Sequence, residues 1–178
     1  NVTFSESGNS LQVTVNSWTA ASLKWNSGTA TWDLGTSSNW DNGGSPDKFY
    51  QMDNVLFDDT VAVSQTVNLT TALAPGSTTV NASVNNFNFA GTGTLTGGGA
   101  VVKQGSSTLT INAPANYTGT TTIQGGRVKM VGNDSWAPAL SLAGGADIQS
   151  GRLILDYSES GQTTPATAVN SALTTSSG

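Results

Sequence analysis

The stretch that decides the fold is Ile123-Gln124-Gly125-Gly126-Arg127-Val128-Lys129-Met130, which recurs as Ile148-Gln149-Ser150-Gly151-Arg152-Leu153-Ile154-Leu155. The two copies are offset by 25 residues. A weaker third copy runs Val102-Lys103-Gln104-Gly105 and continues at Leu109-Thr110-Ile111. In repeats of this period each unit buries its apolar side chains only against its neighbours. The repeat is translational rather than hairpin-like, which favours coils stacked along one axis.

Short alternating segments closed by Gly or Asn predict strands at Phe87–Phe89, Thr108–Ile111, Thr121–Ile123 and Leu140–Leu142. We therefore predict an all-β chain that forms a parallel β-solenoid, with an antiparallel β-sandwich of similar short strands as the alternative. Alternation places these residues inside: Val102, Leu109, Ile111, Ile123, Val128, Met130, Ile148, Leu153 and Leu155. The Thr, Gln, Lys and Arg between them should face outward in ladders. The glycine-rich segment Gly91–Gly99 is not a phosphate loop, since it lacks the Lys-Ser/Thr that follows the glycines of such a loop. We interpret it as a tight corner of the solenoid.

Composition excludes several classes of function. With 26 Thr, 22 Ser and 16 Asn, the chain is poor in helix formers and typical of short strands and turns. It contains no His and no Cys, which excludes Ser-His and Cys-His catalysis and ordinary zinc, haem or iron–sulfur ligation. A net charge of −5 and a pI near 4.2 argue against nucleic acid as a partner. Its apolar runs are too short for membrane insertion.

Three regions are expected along the chain. Residues 1–50 should form an N-terminal cap with Trp-rich opening coils, and they begin with a strand pair at Val2–Phe4 and Leu11–Val15. Residues 51–160 should form the β-helix repeats, and residues 161–178 a linker or a last loose coil. No signal peptide is visible, so we expect a mature or excised module of a larger multidomain protein.

The central region resembles the autotransporter-associated β-strand repeat of bacterial surface proteins. The residues that carry this resemblance are Gly105–Asn112, Asn116–Ile123 and Gly126–Val128. The segment that often precedes such repeats is similar to Thr31-Trp32-Asp33, Asn39-Trp40 and Asp53–Asp58. The resemblance covers roughly residues 30 to 157. It implies a right-handed β-helix in a large secreted or surface protein, without enzymatic activity.

A weaker resemblance, based on fold type and polar-aromatic composition, is to β-helical carbohydrate-binding modules attached to bacterial xylanases. Flat aromatic rings pack against the C–H faces of sugars while polar side chains bond the hydroxyls. The candidate binding residues are Trp18, Trp25, Tyr50 and Trp136, with Asn39, Gln51 and Asp53 as polar partners. The competing interpretation of the tryptophans is a hydrophobic cap over the first coil, which we prefer for Trp32 and Trp40.

The charged residues give two further hypotheses. The acidic residues Asp33, Asp41, Asp47, Asp53, Asp58 and Asp59 cluster in sequence, as a glycosidase or a Ca²⁺ site would require, but no EF-hand spacing appears and strand ends and turns explain them as well. Arg127 and Arg152, at equivalent repeat positions, are the bases that a lyase on a β-helix would use. A ladder of exposed polar residues is the simpler interpretation. We expect neither a catalytic site nor a cofactor, with Ca²⁺ the open alternative.

These observations lead to one expectation and one alternative. The chain is expected to be a non-catalytic, extracellular or cell-surface bacterial module that binds a polysaccharide, with a xylan-like plant glycan favoured, and targets an appended enzyme or cell to it. The alternative is a structural or adhesive β-helix segment of an autotransporter-like surface protein. The two differ in whether tryptophans face solvent.

Overall fold

The computed structural model describes residues 2–8, 10–15, 19–26, 30–131, 146–148 and 151–156. Its regular elements in this part of the chain are all strands. No described helix is long and apolar enough to cross a membrane. The strands are β1 (Val2–Ser7), β2 (Ser10–Val15), β3 (Ser22–Trp25), β4 (Thr31–Trp32), β5 (Trp40–Asn42), β6 (Ser45–Asp47), β7 (Asn54–Asp58), β8 (Gln65–Leu69), β9 (Ala72–Leu73), β10 (Ser77–Asn81), β11 (Phe87–Gly91), β12 (Thr94–Leu95), β13 (Ala100–Gln104), β14 (Thr108–Ile111), β15 (Thr121–Ile123), β16 (Arg127–Val131), β17 (Ala146–Ile148) and β18 (Arg152–Asp156).

The strands build a parallel β-solenoid. The first wall consists of β3, β7, β10, β13, β15 and β17, and the second wall of β4, β8, β11, β14, β16 and β18. A short third wall pairs β9 with β12 and continues as a bridge from Leu95 to Ala115. Each of the first two walls contains six strands in the described part of the chain. The predicted parallel solenoid is confirmed.

The register confirms the repeat that the sequence predicted. Ile123 pairs with Ile148, and Val128 pairs with Leu153, which are the equivalent positions of the two sequence copies. The predicted strands Thr108–Ile111 and Thr121–Ile123 have the predicted bounds, and β1 and β2 form the predicted opening pair, in antiparallel register. The predicted strand Leu140–Leu142 and the predicted linker 161–178 lie outside the described residues.

Inward-facing side chains stack into continuous columns because successive coils share one register. One column of the second wall is Val67, Phe89, Ile111 and Met130, all buried. Of the residues predicted to be interior, Leu109, Ile111, Ile123, Val128 and Met130 are buried, and Leu153 packs against the core. The side chains of Ile148 and Leu155, which were also predicted to be interior, lie outside the described part of the structure.

The prediction that Val102 is interior is wrong. In β13 the residues that face inward are Val101 and Lys103, since Val101 pairs with Thr78 and Thr121, and Lys103 with Val80 and Ile123. Val102 is half-buried on the outer side of the wall. A shift of one residue exchanges the two faces of a strand. Because a lysine is normally expected on the outer face, the buried Lys103 made the alternation of inward and outward residues in β13 appear shifted by one. The same shift makes Lys103 an exception to the predicted outward-facing lysines.

The N-terminal end of the first wall is closed by a hairpin. Strand β5 pairs antiparallel with β3, and β6 pairs antiparallel with β5. Gly43 and Gly44 form the two-residue turn with φ of 63° and 95°, which is the conformation that tight hairpins require and glycine supplies. Pro46 lies in β6, the outermost strand, where a residue without an N–H group blunts an open edge.

The core of the cap is an aromatic cluster. Trp25, Trp32 and Trp40 are each at most 1% exposed. Trp32 lies within 5.7 Å, ring centre to ring centre, of four other rings: Trp40, Phe49, Phe57 and Phe89. These rings come from the hairpin region and from successive coils, so the cluster joins the cap to the solenoid. The preferred assignment of Trp32 and Trp40 to a hydrophobic cap agrees with this burial.

Candidate functional site

The aromatic residues predicted to stack on sugars have different surroundings. Trp25 is fully buried, packs edge-on against Trp40 at 4.9 Å, and donates its indole N–H to Gln65 Oε1 at 2.7 Å. Its ring therefore presents no face to a ligand, and Trp25 takes the competing role of a cap residue. Trp18 and Trp136 lie outside the described residues. Their assignment stays a prediction.

Tyr50 is the predicted aromatic residue that the structure leaves open to solvent, with 53% of its surface exposed. Its ring lies against Gly35, where an added Cβ would come within 3.1 Å of Tyr50 Cε1. Gly35 has φ of 65° and donates its N–H to Phe49 O at 2.9 Å. The glycine thus lets the ring lie flat on the backbone of the neighbouring loop.

The predicted polar partners of the sugar are occupied by the backbone. Asp53 is 4% exposed and accepts hydrogen bonds from Ala21 N and Tyr50 N, both at 2.8 Å. The buried Asn39 donates to Thr31 O at 2.6 Å. These hydrogen bonds hold the cap to the first coils, and the assignment of Asp53 and Asn39 as sugar contacts stays a prediction.

Gln51 has the same kind of structural role. Its amide oxygen accepts a hydrogen bond from Ala74 N at 2.6 Å, and its amide nitrogen donates to Ala72 O at 2.9 Å. The side chain thereby imitates one strand residue beside β9. The structure therefore brings Tyr50, Gln51 and Asp53 together in one loop, in which the Tyr50 ring is exposed and Asp53 is buried.

The turn between the first and second walls contains a feature that the sequence did not suggest. Asp59 follows β7, and its carboxylate accepts hydrogen bonds from the consecutive N–H groups of Ser83, Val84 and Asn85 in the next coil, the shortest at 2.7 Å. The bonds from Ser83 and Asn85 hold the pKa of Asp59 below its usual value. The carboxylate thus fastens one corner to the next.

Lys103 lies in β13, and its side chain extends to the corner that follows this strand. Its side chain is fully buried, and its Nζ donates to the carbonyl oxygens of Gln104 and Gly105. Burial lowers the pKa of Lys103 from 10.5 to about 8, and the charge of Asp59 partly opposes this shift. The Nζ group of Lys103, inside an otherwise apolar column, is therefore compensated by the carbonyl groups of the corner.

The other acidic residues of the cluster are also used locally. Asp47 accepts a hydrogen bond from Asn42 Nδ2 at 2.8 Å, and this bond together with the N–H of Lys48 lowers its pKa. Asp33 accepts bonds from Ser37 N and Ser37 Oγ. Within the described ranges no three His, Cys, Asp or Glu side chains are grouped as metal ligands. The alternative that the protein binds Ca²⁺ stays a prediction.

One cleft lies on the outer side of the first wall, where β3, β7 and β10 run side by side. It has a volume of about 270 Å³ and is lined by these side chains: Ser22, Lys24, Asn54, Leu56, Ser77 and Thr79. Ser77 Oγ lies 2.8 Å from Asn54 Oδ1. The lining combines the hydroxyl and amide groups of Ser22, Asn54, Ser77 and Thr79 with apolar surface that includes Leu56. Its outward position follows from the phase of β7, in which Val55 and Phe57 face inward.

The comparisons with known proteins agree with this architecture. Residues 101–130 match the family model of the passenger-associated transport repeat. The matched segment contains β14, β15 and most of β13 and β16, which are two strands of each wall. No curated protein and no solved structure matches the chain. The chain is therefore a β-solenoid in which residues 101–130 are similar to the passenger-associated transport repeat, which agrees with the resemblance seen in the sequence.

Proposed function

We propose that this chain is a structural β-solenoid segment of a secreted or surface-exposed bacterial protein, without a catalytic site of its own. The observation that carries the proposal is the burial of Trp25, Trp32 and Trp40 in one continuous core that joins the cap to the coils. Buried indoles seal the end of a solenoid instead of offering flat platforms to a ligand. This favours the structural alternative over the sugar-binding module.

A β-solenoid is suited to act as a rigid spacer within a larger protein. Each coil adds about 4.8 Å along the axis, since that is the distance between neighbouring strands of a sheet. Each coil is fixed to the next by a full ladder of backbone hydrogen bonds and by an inward column of side chains. A segment of this kind extends a protein away from its attachment point and resists bending, because every coil contacts its neighbours over two walls.

The repeat match supports an extracellular location. Its name refers to transported passengers, and a passenger is the exported part of a larger protein. The low charge and the Thr, Ser and Asn content of the outer faces agree with that setting. We propose that the segment is part of a larger multidomain protein outside the cytoplasm.

Polysaccharide binding is kept as a second candidate function because of two observations. The cleft on the first wall is lined by hydroxyl and amide groups around Leu56, and the ring of Tyr50 is exposed. A neutral, xylan-like glycan lying across the strands would find both polar partners and an apolar contact there. The predicted tryptophan platform contributes nothing to this candidate through Trp25.

Iodide quenching of tryptophan fluorescence tests the proposed function. In the variant Trp18→Phe/Trp136→Phe, only Trp25, Trp32 and Trp40 remain to emit. We expect a blue-shifted emission with little quenching, because these three rings are shielded from the aqueous ion. Strong quenching in the folded variant would contradict the sealed core and with it the structural role.

Affinity electrophoresis on neutral polysaccharides separates the two candidates. The structural role predicts unchanged mobility on xylan and other neutral glycans. Retardation by xylan that is lost in Tyr50→Ala, or in Asn54→Ala within the cleft, would favour the second candidate. The variant Val84→Ala changes an exposed side chain at a corner and is the control for nonspecific retention.

A further inference from the structure

The turn of the cap hairpin contains a chemically reactive pair of residues. Strand β5 ends at Asn42, and Gly43 and Gly44 connect it to β6. Of the 16 Asn in the chain, Asn42 is the one that is followed by Gly. In an Asn-Gly pair the backbone nitrogen of the glycine reaches the side-chain carbonyl carbon of the asparagine easily, because glycine has no Cβ to obstruct the approach. The turn is therefore a place where the chain can modify itself.

The structure leaves this turn accessible. Asn42, Gly43 and Gly44 are all exposed, and a Cβ built on either glycine would meet no atom within 4 Å. The N–H of Gly44 donates to Asp41 Oδ1 at 2.8 Å, whereas the N–H of Gly43 has no acceptor in the described part of the chain. The nitrogen that has to attack is thus exposed to solvent and not held in a hydrogen bond.

The side chain of Asn42 holds the two strands of the hairpin together. Its Nδ2 donates to Asp47 Oδ2 at 2.8 Å, and this bond is the main reason why the pKa of Asp47 lies below its usual value. Asp41 contributes a second carboxylate, which lies 3.8 Å from Lys24 Nζ. The hairpin therefore accommodates carboxylates on both strands while position 42 supplies an N–H donor.

We propose that Asn42 is a site of spontaneous deamidation, and that this modification opens the hairpin of the cap. The backbone nitrogen of Gly43 attacks Cγ of Asn42, and a succinimide ring forms as the bond between Cγ and Nδ2 breaks. The proton of the Gly43 nitrogen leaves with the amide group as ammonia. Water then opens the ring at either carbonyl carbon, which yields an aspartate or an isoaspartate at position 42. Water is the co-reactant, and the exposed turn admits it.

The modification removes the bond that joins the strands of the hairpin. An oxygen takes the place of Nδ2, so a new carboxylate faces Asp47, and like charges on neighbouring strands destabilise a sheet. An isoaspartate also lengthens the backbone by one methylene group, which disturbs the pairing of Asn42 with Ser45. The hairpin covers the edge of β3, so its opening exposes an edge at which another chain can pair. Because ammonia is lost, water does not reverse the change.

Other asparagines of the described part are less suited to the reaction. Asn68, Asn81 and Asn116 are exposed, but they are followed by Leu, Ala and Tyr, whose side chains obstruct the approach of the backbone nitrogen. Asn39 and Asn85 are buried. The three exposed asparagines are therefore internal references for the reactivity of Asn42 in the same molecule.

The test follows the full chain during incubation at mildly alkaline pH. Samples are digested at intervals, and mass spectrometry measures the conversion of each asparagine amide to a carboxylate. A protein isoaspartate methyltransferase labels the isoaspartate product. We expect Asn42 to be converted well before Asn68, Asn81 and Asn116. The matched control is Asn42→Gln, which keeps an amide donor but would have to form a larger ring, and its position 42 should remain unmodified.

Hydrogen exchange measures the opening of the hairpin. In Asn42→Asp, and in the incubated wild type, peptides that cover β5 and β6 should lose roughly tenfold in protection, which corresponds to one hydrogen bond to a charged group. The double variant Asn42→Asp/Asp47→Asn exchanges donor and acceptor, so it should restore the protection. Asn68→Asp adds the same charge to an exposed position of β8 and should leave the hairpin protected.

Three results would overturn the proposal. They are an Asn42 that reacts no faster than the three reference asparagines, cleavage of the chain after Asn42 in place of deamidation, or wild-type protection of the hairpin once position 42 carries a carboxylate. Should Asn42→Asp not fold, the modified fraction of the incubated wild type, separated by anion exchange, is measured in its place. None of these results bears on the proposed structural role, which is measured on tryptophans and neutral glycans.

Discussion

At the scale of single residues, Lys103 shows how the solenoid tolerates a charge in its interior. The side chain occupies the column between Val80 and Ile123, to which β7 contributes the buried Phe57. A lysine fits because its long stem follows the column, while its Nζ reaches the carbonyl groups of Gln104 and Gly105 at the corner. Burial disfavours the charged form, so the protonation of Lys103 is coupled to folding.

The coupling predicts that stability increases with pH in the alkaline range. In the folded chain the pKa of Lys103 is about 8 in place of 10.5. Between these values the unfolded chain binds more protons, so the free energy of unfolding rises by roughly 2–3 kcal/mol across the window. The variant Lys103→Met should show no such rise. Urea unfolding measured at intervals from pH 7 to pH 10 checks this.

The control is Lys48→Met, which removes a half-buried lysine of the cap and should keep the rise. A second group limits the range, because burial raises the pKa of Tyr117 above 10.0. The folded chain keeps that proton longer, so Tyr117 lowers stability as pH rises beyond its unfolded value. A wild-type stability that is flat from pH 8 to pH 10, or a rise that survives in Lys103→Met, would show that Lys103 is solvated.

Asp53 gives the second prediction for a single residue. Replacement by Ala leaves the N–H groups of Ala21 and Tyr50 without their acceptor. Bonds to a charged acceptor are worth about 1.5–3 kcal/mol each, so we expect a loss of about 3 kcal/mol in chemical denaturation. Asp58→Ala is the matched control, since that carboxylate bonds to Thr60 beside it. A loss in Asp53→Ala no larger than in the control would contradict the bridging role.

At the scale of elements, the strands were predictable where the inner face is apolar throughout. Leu109 and Ile111, or Val128 and Met130, define their phase by alternation alone, and the repeat then fixes which strands stack. In β13 the alternation failed, because Val101 and Val102 are both apolar and the inward Lys103 looks like an outer residue. The phase of that strand is set by its neighbours β10 and β15, which a single segment does not show.

The candidate site was less predictable than the strands. Exposed and buried tryptophans have the same sequence signal, and only the contacts of Trp25 with Trp40 and Gln65 decide between them. Asp53 and Asn39 have the composition of sugar ligands, but they bond to backbone groups, Asp53 to Ala21 N and Tyr50 N, and Asn39 to Thr31 O. The equivalence of Arg127 and Arg152 was visible in the repeat, and the register converts it into a physical pair.

The glycines that precede strands of the first wall yield a prediction at this scale. Gly76, Gly99 and Gly119 stack on one another, and a Cβ at Gly99 would lie 2.2 Å from Pro75 O. Gly99→Ala should therefore destabilise the chain by about 1–3 kcal/mol, because the backbone of two coils must separate. Gly98→Ala, at the adjacent position with nothing within 4 Å, should be neutral or stabilising by about 0.5 kcal/mol. Thermal unfolding of both variants measures the difference, and equal effects would show that the coils are not in close contact there.

At the scale of the whole molecule, a solenoid depends on the closure of its ends. Each coil is stable only against its neighbours, and the first coil has a neighbour on one side alone. The hairpin of β5 and β6 covers the first wall, while the aromatic cluster fills the interior beneath it. Aromatic rings suit this position because each buries a large area and contacts several others edge-on. The stability of the cap is therefore transmitted to the coils that follow.

The final prediction concerns Trp32, whose ring contacts Trp40, Phe49, Phe57 and Phe89. Trp32→Ala would leave a cavity at the junction of cap and coils and should cost about 3–5 kcal/mol in the free energy of unfolding. Trp32→Phe should cost much less, because it keeps ring contacts and removes an indole N–H that has no partner in the described part of the chain. Tyr50→Ala removes an exposed ring nearby and is the control for loss of an aromatic residue.

If the cap stabilises the coils, Trp32→Ala lowers protection from hydrogen exchange in β7 and β8 as well as in the hairpin. Loss of protection confined to the hairpin would show that the coils are stable without their cap.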